Sequence, residues 1–254
     1  MKIPTILVII SSVLILTSFS GCISSYGKEY NTVTPGVLTV GITPEMPPQQ
    51  YYEDGELKGF DIDLMKEIAN NMGLKPEFKI YEYGGAHEAL LNGEIDCLPS
   101  MTISPERKED MDFSRAYIQT YVVVAVFENS PYRELKDLNG KNIAVVTNTY
   151  TEDWAKDYLG SINANIKSYD SIQGLVSDIY SKNIDAVVTD QIQLDYYSKQ
   201  KSFESRLIFE KMTIEYWAIA VKKDNHDLQN EINDALFELE ENEALYELKN
   251  KWYD

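Results

Sequence analysis

"LLNGEIDCLPS" (Leu90–Ser100) and "IYSKNIDAVVT" (Ile179–Thr189) say the same thing twice. Each reads as the end of a helix, a break, the pair Ile-Asp, and an apolar strand. A recurring unit of this kind points to strands alternating with helices, and so to parallel sheets wrapped by helices. Two copies in 254 residues fit two lobes of ordinary size.

The surroundings of each copy agree. Before the first, "VLTVGI" (Val37–Ile42) reads as a strand, and "FDIDLMKEIANNMG" as a helix that Asp61 can cap and Gly73 ends. "EFKIYEY" is a strand and "AHEALLNG" a short helix. Around the second, "KNIAVV" is a strand, "TNTYTEDWAKDYLG" a helix with a Thr149-x-x-Glu152 capping box, and "SIQGLVSDIYSKN" and "QIQLDYYSKQ" are helices. The strands "YVVVAVF" (Tyr121–Phe127) and "EYWAIAV" (Glu215–Val221) flank this second unit. Lobe 1 is therefore expected to comprise residues 36–120 plus 216–254, with lobe 2, residues 121–215, inserted through a double hinge. Ligands of open α/β sheets bind beyond the carboxyl ends of the strands. "IDCLPSMT", "IAVVTNT" and "IDAVVTD" all run off such ends.

One of these ends holds an oddity. "MTISPERKEDMDFS" (Met101–Ser114) opens a helix at Ser104-Pro105, yet Arg107 stands in the first turn, where the helix is already positive. Neighbouring acids such as Glu106 and Asp110 could neutralise it. The alternative is that the charge is wanted, because a helix start with a guanidinium fork matches a carboxylate.

The amino terminus differs in kind. "MKIPTILVIISSVLILTSFSGC" carries one Lys, an apolar run too short for a comfortable span, and small residues before Cys22. Residues 1–21 read as an export signal, and "ISSYGKEYNTVTPG" as a polar tether after Cys22. Composition narrows the partners. Against 23 Lys+Arg stand 41 Asp+Glu, a formal charge of −18, or 22 − 41 = −19 once Lys2 is removed with the signal. Such acidity argues against nucleic acid, which needs a basic footprint. Cys97 sits in an apolar run and reads as a buried small hydrophobe. His87 and His226 lack ligand-like spacing, and no P-loop, dinucleotide or nucleophile-elbow motif occurs.

In order, "LTVGI", the "PP" loop, "GFDIDLMKEIA", "GEIDC", "MTISPERKEDMDFS", "LKDLNGKNIAVV" and "IDAVVTD" resemble the extracellular solute-binding proteins of the polar amino-acid type, which serve ABC importers. The resemblance covers Val37 to the C-terminus. It implies an α/β, two-lobed periplasmic-binding-protein-like (type II) fold. It implies a monomer without cofactor that passes a free amino acid to an ABC permease and its ATPase subunit. The segment before Cys22 is similar to a lipobox, although Phe19 stands where Leu is commonest. Cys22 would then carry a lipid and hold the protein at the cell surface. By the same resemblance Arg107 holds the ligand's α-carboxylate, with Thr102 and backbone near Ser100. The turn Asn148-Thr149-Tyr150-Thr151 adds N–H donors, Asp190 takes the ammonium, and Phe60 packs on the ligand side chain.

The charge pattern suits this independently, since a zwitterion needs a cationic and an anionic partner. Asp190 could also simply cap the helix after it. There are departures from the family. Met46 replaces an aromatic, and "TNTYT" has no Gly, so Tyr150 narrows the side-chain space. Thr43 and Val146 are uncharged, which favours a neutral polar amino acid, while Glu45 would favour a cation if it pointed inward. The rival classes are a periplasmic dehydratase or cell-wall hydrolase on the same fold, and a ligand-sensing subunit.

Overall fold

The computed structural model describes residues 30–253, apart from 83, 171–173, 176–177, 180, 182, 201–203 and 209–212. Cys22 and the expected signal lie outside the described residues, as does most of the helix expected over 171–183. Residues 30–35, read as the end of a tether, are held against the protein. Val33 N donates to Asp96 Oδ1 at 2.6 Å, and Tyr30 packs on the core.

Two sheets share one continuous hydrogen-bonded ribbon. In lobe 1, β1 (Val37–Ile42) lies parallel between β5 (Lys75–Ile80) and β6 (Cys97–Thr102). In lobe 2, β9 (Asn142–Val146) lies parallel between β10 (Asn165–Tyr169) and β11 (Ala186–Asp190). Two long antiparallel strands join them, β8 (Ile118–Phe127) and β13 (Thr213–Lys222). β8 pairs with β13 through Ile118–Val122 and with β11 through Val122–Val126. β13 continues past Trp217 onto β6 and β7 (Met111–Phe113). The chain thus crosses between lobes twice, along β8 and β13.

The repeated Ile-Asp has one structural meaning in both lobes. Asp96 N donates to Thr39 O, and Asp96 Oδ2 accepts from Thr39 N at 2.7 Å. Asp185 N donates to Asn142 O, and Asp185 Oδ2 accepts from Asn142 N at 2.9 Å. Each Asp clamps the start of its lobe's central strand, satisfying backbone groups that would otherwise be orphaned.

Helices cover the sheets because apolar residues recur on one face. In α1 (Phe60–Asn71), Ile62, Met65, Ile68 and Ala69 are fully enclosed against the lobe 1 sheet and the C-terminal helices. α2 (Gly85–Asn92) buries Ala86, Ala89 and Leu90. α4 (Tyr150–Gly160) buries Trp154, Ala155 and Leu159 against the lobe 2 sheet. Cys97 is free and fully buried. Among the described residues no helix is long and apolar enough to cross a membrane.

The start of α1 is tied to the loop before it. Phe60 N donates to Pro48 O and Asp61 N to Gln49 O, so the loop's carbonyls take the first orphan donors of the helix. This close approach requires Gly59, whose φ is +134°. A Cβ there would fall 2.0 Å from Gln49 O. Gly59→Ala is therefore expected to lower the unfolding free energy by at least the ~1–3 kcal/mol of a strained backbone position, as read by equilibrium denaturant unfolding followed by circular dichroism.

Candidate functional site

Where the strands of both lobes end, a cavity of about 570 Å³ opens. That is within the range of small-molecule sites. Its lining includes Thr43, Met46, Ser100, Thr102 and Arg107 from lobe 1. Val146, Asn148, Thr149, Tyr150 and Asp190 come from lobe 2. The rims meet at Gly84 and Asn148, where a Cβ on Gly84 would stand 3.0 Å from Asn148 Nδ2. On the opposite flank, Tyr51 faces Tyr196 with ring centroids 5.9 Å apart.

Arg107 stands at the head of α3 (Arg107–Asp110), which is a single turn. The helix expected from Ser104 is thus shorter and starts later, and one turn carries little macrodipole. Ser104 Oγ still accepts from Arg107 N at 3.3 Å. The guanidinium donates from Nη1 to Thr102 O at 3.2 Å. Among the described residues it has no carboxylate within 4.0 Å. Burial lowers its pKa, opposed by the more distant charges of Asp153 and Glu215. The neighbouring acids do not pair with it, so a partly buried cation is left with one neutral partner.

Across the cleft, α4 offers complementary donors. Thr149 caps it, with Oγ1 accepting from Glu152 N at 3.2 Å. Glu152 does not reach back to Thr149. It accepts from Asn148 N at 2.9 Å and from Ser168 Oγ, and pairs with Lys156 at 2.9 Å. Among the described residues the N–H groups of Tyr150 and Thr151 have no partner, as expected of the first turn of a helix. Together with Arg107 they suit a carboxylate bridging the lobes.

Asp190 caps a helix and lines the cavity. Its Oδ1 accepts from Gln193 N at 2.9 Å and caps the helix Gln191–Lys199, while the residue lines the cavity. Burial and then the negative charge of Glu215 raise its pKa to about 8.

Four expectations change in detail. Phe60 lies outside the cleft lining. It is fully buried, between Tyr117 at 6.0 Å and Tyr253 at 5.1 Å, because the α1 start is turned into the core by its bonds to the proline loop. Glu45, in the two-residue strand β2 (Glu45–Met46), is also absent from the lining, whereas Met46 is present. Ser100, at φ +52°, gives its N–H to Tyr117 OH at 2.7 Å and not to the cleft. The Thr102 hydroxyl donates to Glu215 Oε2 at 2.8 Å.

A buried network beneath the cleft fixes these positions. Asp61, expected as a cap, is fully enclosed and accepts from Ser100 Oγ at 2.9 Å, Gln50 Nε2 at 3.0 Å and Tyr117 OH at 3.3 Å. Gln50 in turn accepts from Thr43 N at 2.6 Å and lines the cavity. Burial raises the Asp61 pKa to about 7.

Gln50, Glu215 and Trp217 were missed by the sequence reading. No short window of sequence marks Glu215, because its strand runs against the phase that hydrophobicity suggests. In "TIEYWAIAV", Ile214 and Tyr216 are about half exposed, while Glu215 and Trp217 are 3% exposed. Outside the cleft, His226 approaches Asp112 and Asp224, but Lys223 Nζ already holds Asp112 Oδ1 at 3.0 Å.

Asp190 and Asp61 enter the folded state with raised pKa values, so the native protein holds more protons than the unfolded chain between pH ~4 and ~8. Stability of the unliganded protein should therefore fall as pH rises through that window. Asp190→Asn, which keeps the capping oxygen, should raise the melting temperature at pH 8 and change it little at pH 4, as read by thermal denaturation.

Comparison with known proteins agrees with this geometry. Residues 38–254 match the family described as bacterial extracellular solute-binding proteins, family 3. A probable amino-acid-binding protein of Bacillus subtilis (strain 168), YxeM, is 29% identical over 100% of this chain and 96% of its own length. An ancestral arginine-binding protein bound to arginine superposes with a TM-score of 0.80 and 33% identity, covering 86% of this chain and 99% of its own. An ancestral amino acid-binding protein described as a precursor of cyclohexadienyl dehydratase gives 0.80 and 30%, over 86% and 96%. With its two lobes, its cleft and a match spanning both, the chain belongs to family 3 of the bacterial extracellular solute-binding proteins.

Proposed function

We propose that this protein captures a free α-amino acid between its lobes and presents it to an ABC importer. The observation that carries this reading is Arg107, a partly buried guanidinium in the cleft with a single neutral hydrogen-bond acceptor. Its partner arrives from solution as the ligand's carboxylate, which the N–H groups of Tyr150 and Thr151 receive from the other side. Asp190 accepts from the ammonium. A zwitterion held by both lobes binds the closed arrangement better than the open one and shifts the population towards it. β8 and β13, where the chain crosses, serve as the double hinge. A micromolar Kd corresponds to ~8 kcal/mol, within reach of two charge-assisted clusters in a desolvated cleft.

The ligand side chain meets uncharged Thr43 and Val146, which suits a neutral amino acid. Glu88, Glu106, Asp110 and Asp153 also line the cavity, so a cationic side chain is the other candidate and an anionic one is disfavoured. Capture by binding alone, without turnover, fits the family. The specific observation favouring an enzyme is the buried Asp190, whose raised pKa would keep it a proton donor at neutral pH. Turnover of any bound ligand would favour that second reading. We extend the proposal to location: Cys22 carries a lipid that tethers a monomer at the outer face of the membrane.

Calorimetry against a panel of amino acids, with protein stripped of carried-over ligand, tests the capture reading. Arg107→Ala should cost ~2–5 kcal/mol, a loss of roughly 30- to several-thousand-fold in affinity. Its circular dichroism should be unchanged. An unfolded variant would instead mark Arg107 as structural. Asp190→Asn should weaken amino acids and spare carboxylates that lack the amine; equal loss for both would count against its ammonium role.

A further inference from the structure

Glu215 has no part in the reading above, yet it is 3% exposed and lines the cavity. Its Oε2 is held by Thr102 Oγ1 at 2.8 Å and Trp217 Nε1 at 3.3 Å. Its Oε1 is buried and has no hydrogen-bond partner. Leaving a carboxylate oxygen buried without a donor costs free energy. Arg107 does not supply that donor, since no ion pair joins the two within 4.0 Å. Asp190 is the other buried carboxyl of the lining: its Oδ1 accepts from the Gln193 N–H at 2.9 Å, which leaves the group room for a further donor. Both carboxyls line the same cavity, and the charge of Glu215 disfavours ionisation of Asp190.

We propose that Glu215 is a second carboxylate of the amine-binding end of the cleft, its Oε1 and the carboxyl of Asp190 accepting together from one primary ammonium. This rests on the amino-acid capture reading and deepens it. An ammonium has three N–H donors and is best held by several acceptors. The Thr102 hydroxyl has turned its proton towards Glu215, so its lone pairs offer a third. Three acceptors around one cation select a ligand with a free primary amine. An α-hydroxy acid brings one donor, and an N-trimethylated amino acid brings none. Trp217 and Thr102 fix Glu215 through Oε2, which holds the carboxylate in place at the cavity wall.

The test is a double-mutant cycle, read by calorimetry with an amino acid that binds the wild type. Glu215→Gln and Asp190→Asn are each expected to weaken binding about 10- to 100-fold, the worth of a hydrogen bond to a charged group. Because both act on the same ammonium, the double variant should lose less than the product of the two losses. The N-trimethyl derivative of that amino acid should bind the wild type far more weakly. Affinity in Glu215→Gln within about twofold of wild type, or losses that simply multiply, would overturn the proposal. Melting curves establish that each variant is folded. Should Glu215→Gln unfold, Glu215→Asp keeps the charge but shortens the reach, and the same non-multiplicative loss is expected of it. Binding of no amino acid by the wild type would remove the capture reading itself, and this one with it. Binding that is indifferent to Glu215 would remove this proposal alone.

Discussion

Strands β8 and β13 pair antiparallel where the chain passes between lobes, Thr213 opposite Val122 and Trp217 opposite Ile118. Every other strand belongs to one lobe or the other. The parallel strands of both lobes end at the cleft, so their carboxyl ends face each other across it. Because β13 runs uninterrupted from one lobe to the other, a side chain on it can touch both. Glu215 does so, reaching Thr102 at the end of β6 while its charge acts on Asp190 at the end of β11. The same two strands that join the lobes thus bring groups of both into one site.

The electrostatics of that site are unsettled by design. Among the described residues the partly buried Arg107 has one hydrogen-bond acceptor, a carbonyl; Asp190 and Glu215 are buried, and Glu215 Oε1 has no partner. Each costs stability in the unliganded protein, because burying a charge or a polar atom without a partner is unfavourable. A protein selected for stability alone would have moved a carboxylate onto the guanidinium. Here no ion pair within 4.0 Å joins the opposite charges among the described residues, and under the proposed function a zwitterion would complete both. The surrounding network does the reverse: Asp61 accepts from Ser100, Gln50 and Tyr117, so the scaffold beneath the cleft is satisfied and rigid.

Much of this was legible because it is local. The alternation of strands and helices, the capping Thr149, and the repeated Ile-Asp are set by residues close in sequence. So was the standing of Arg107 and Asp190 at strand ends, Asp190 serving locally as the cap of the helix that follows. Phe60 was misjudged for a tertiary reason, since the proline loop takes the first N–H groups of α1 and turns the ring into the core. Glu215 was invisible for another. Its strand places Ile214 and Tyr216 outward and the acid inward, opposite to the phase that hydrophobicity suggests.

By itself, then, the sequence determined the kinds of element, their order, the doubling of the α/β unit and the two opposite charges that a zwitterion needs. Only the tertiary structure decided which residues share the cleft, that Glu215 joins Asp190 there, and that Ser100 and Thr102 have given their donors to the protein. The physical reason is range. Periodicity, caps and turns are fixed by bonds spanning a few residues, and they leave a trace in a short window. Thr102 and Glu215 are 113 residues apart, and the sharing of a hydrogen bond between them is set by strand register, which no short window contains.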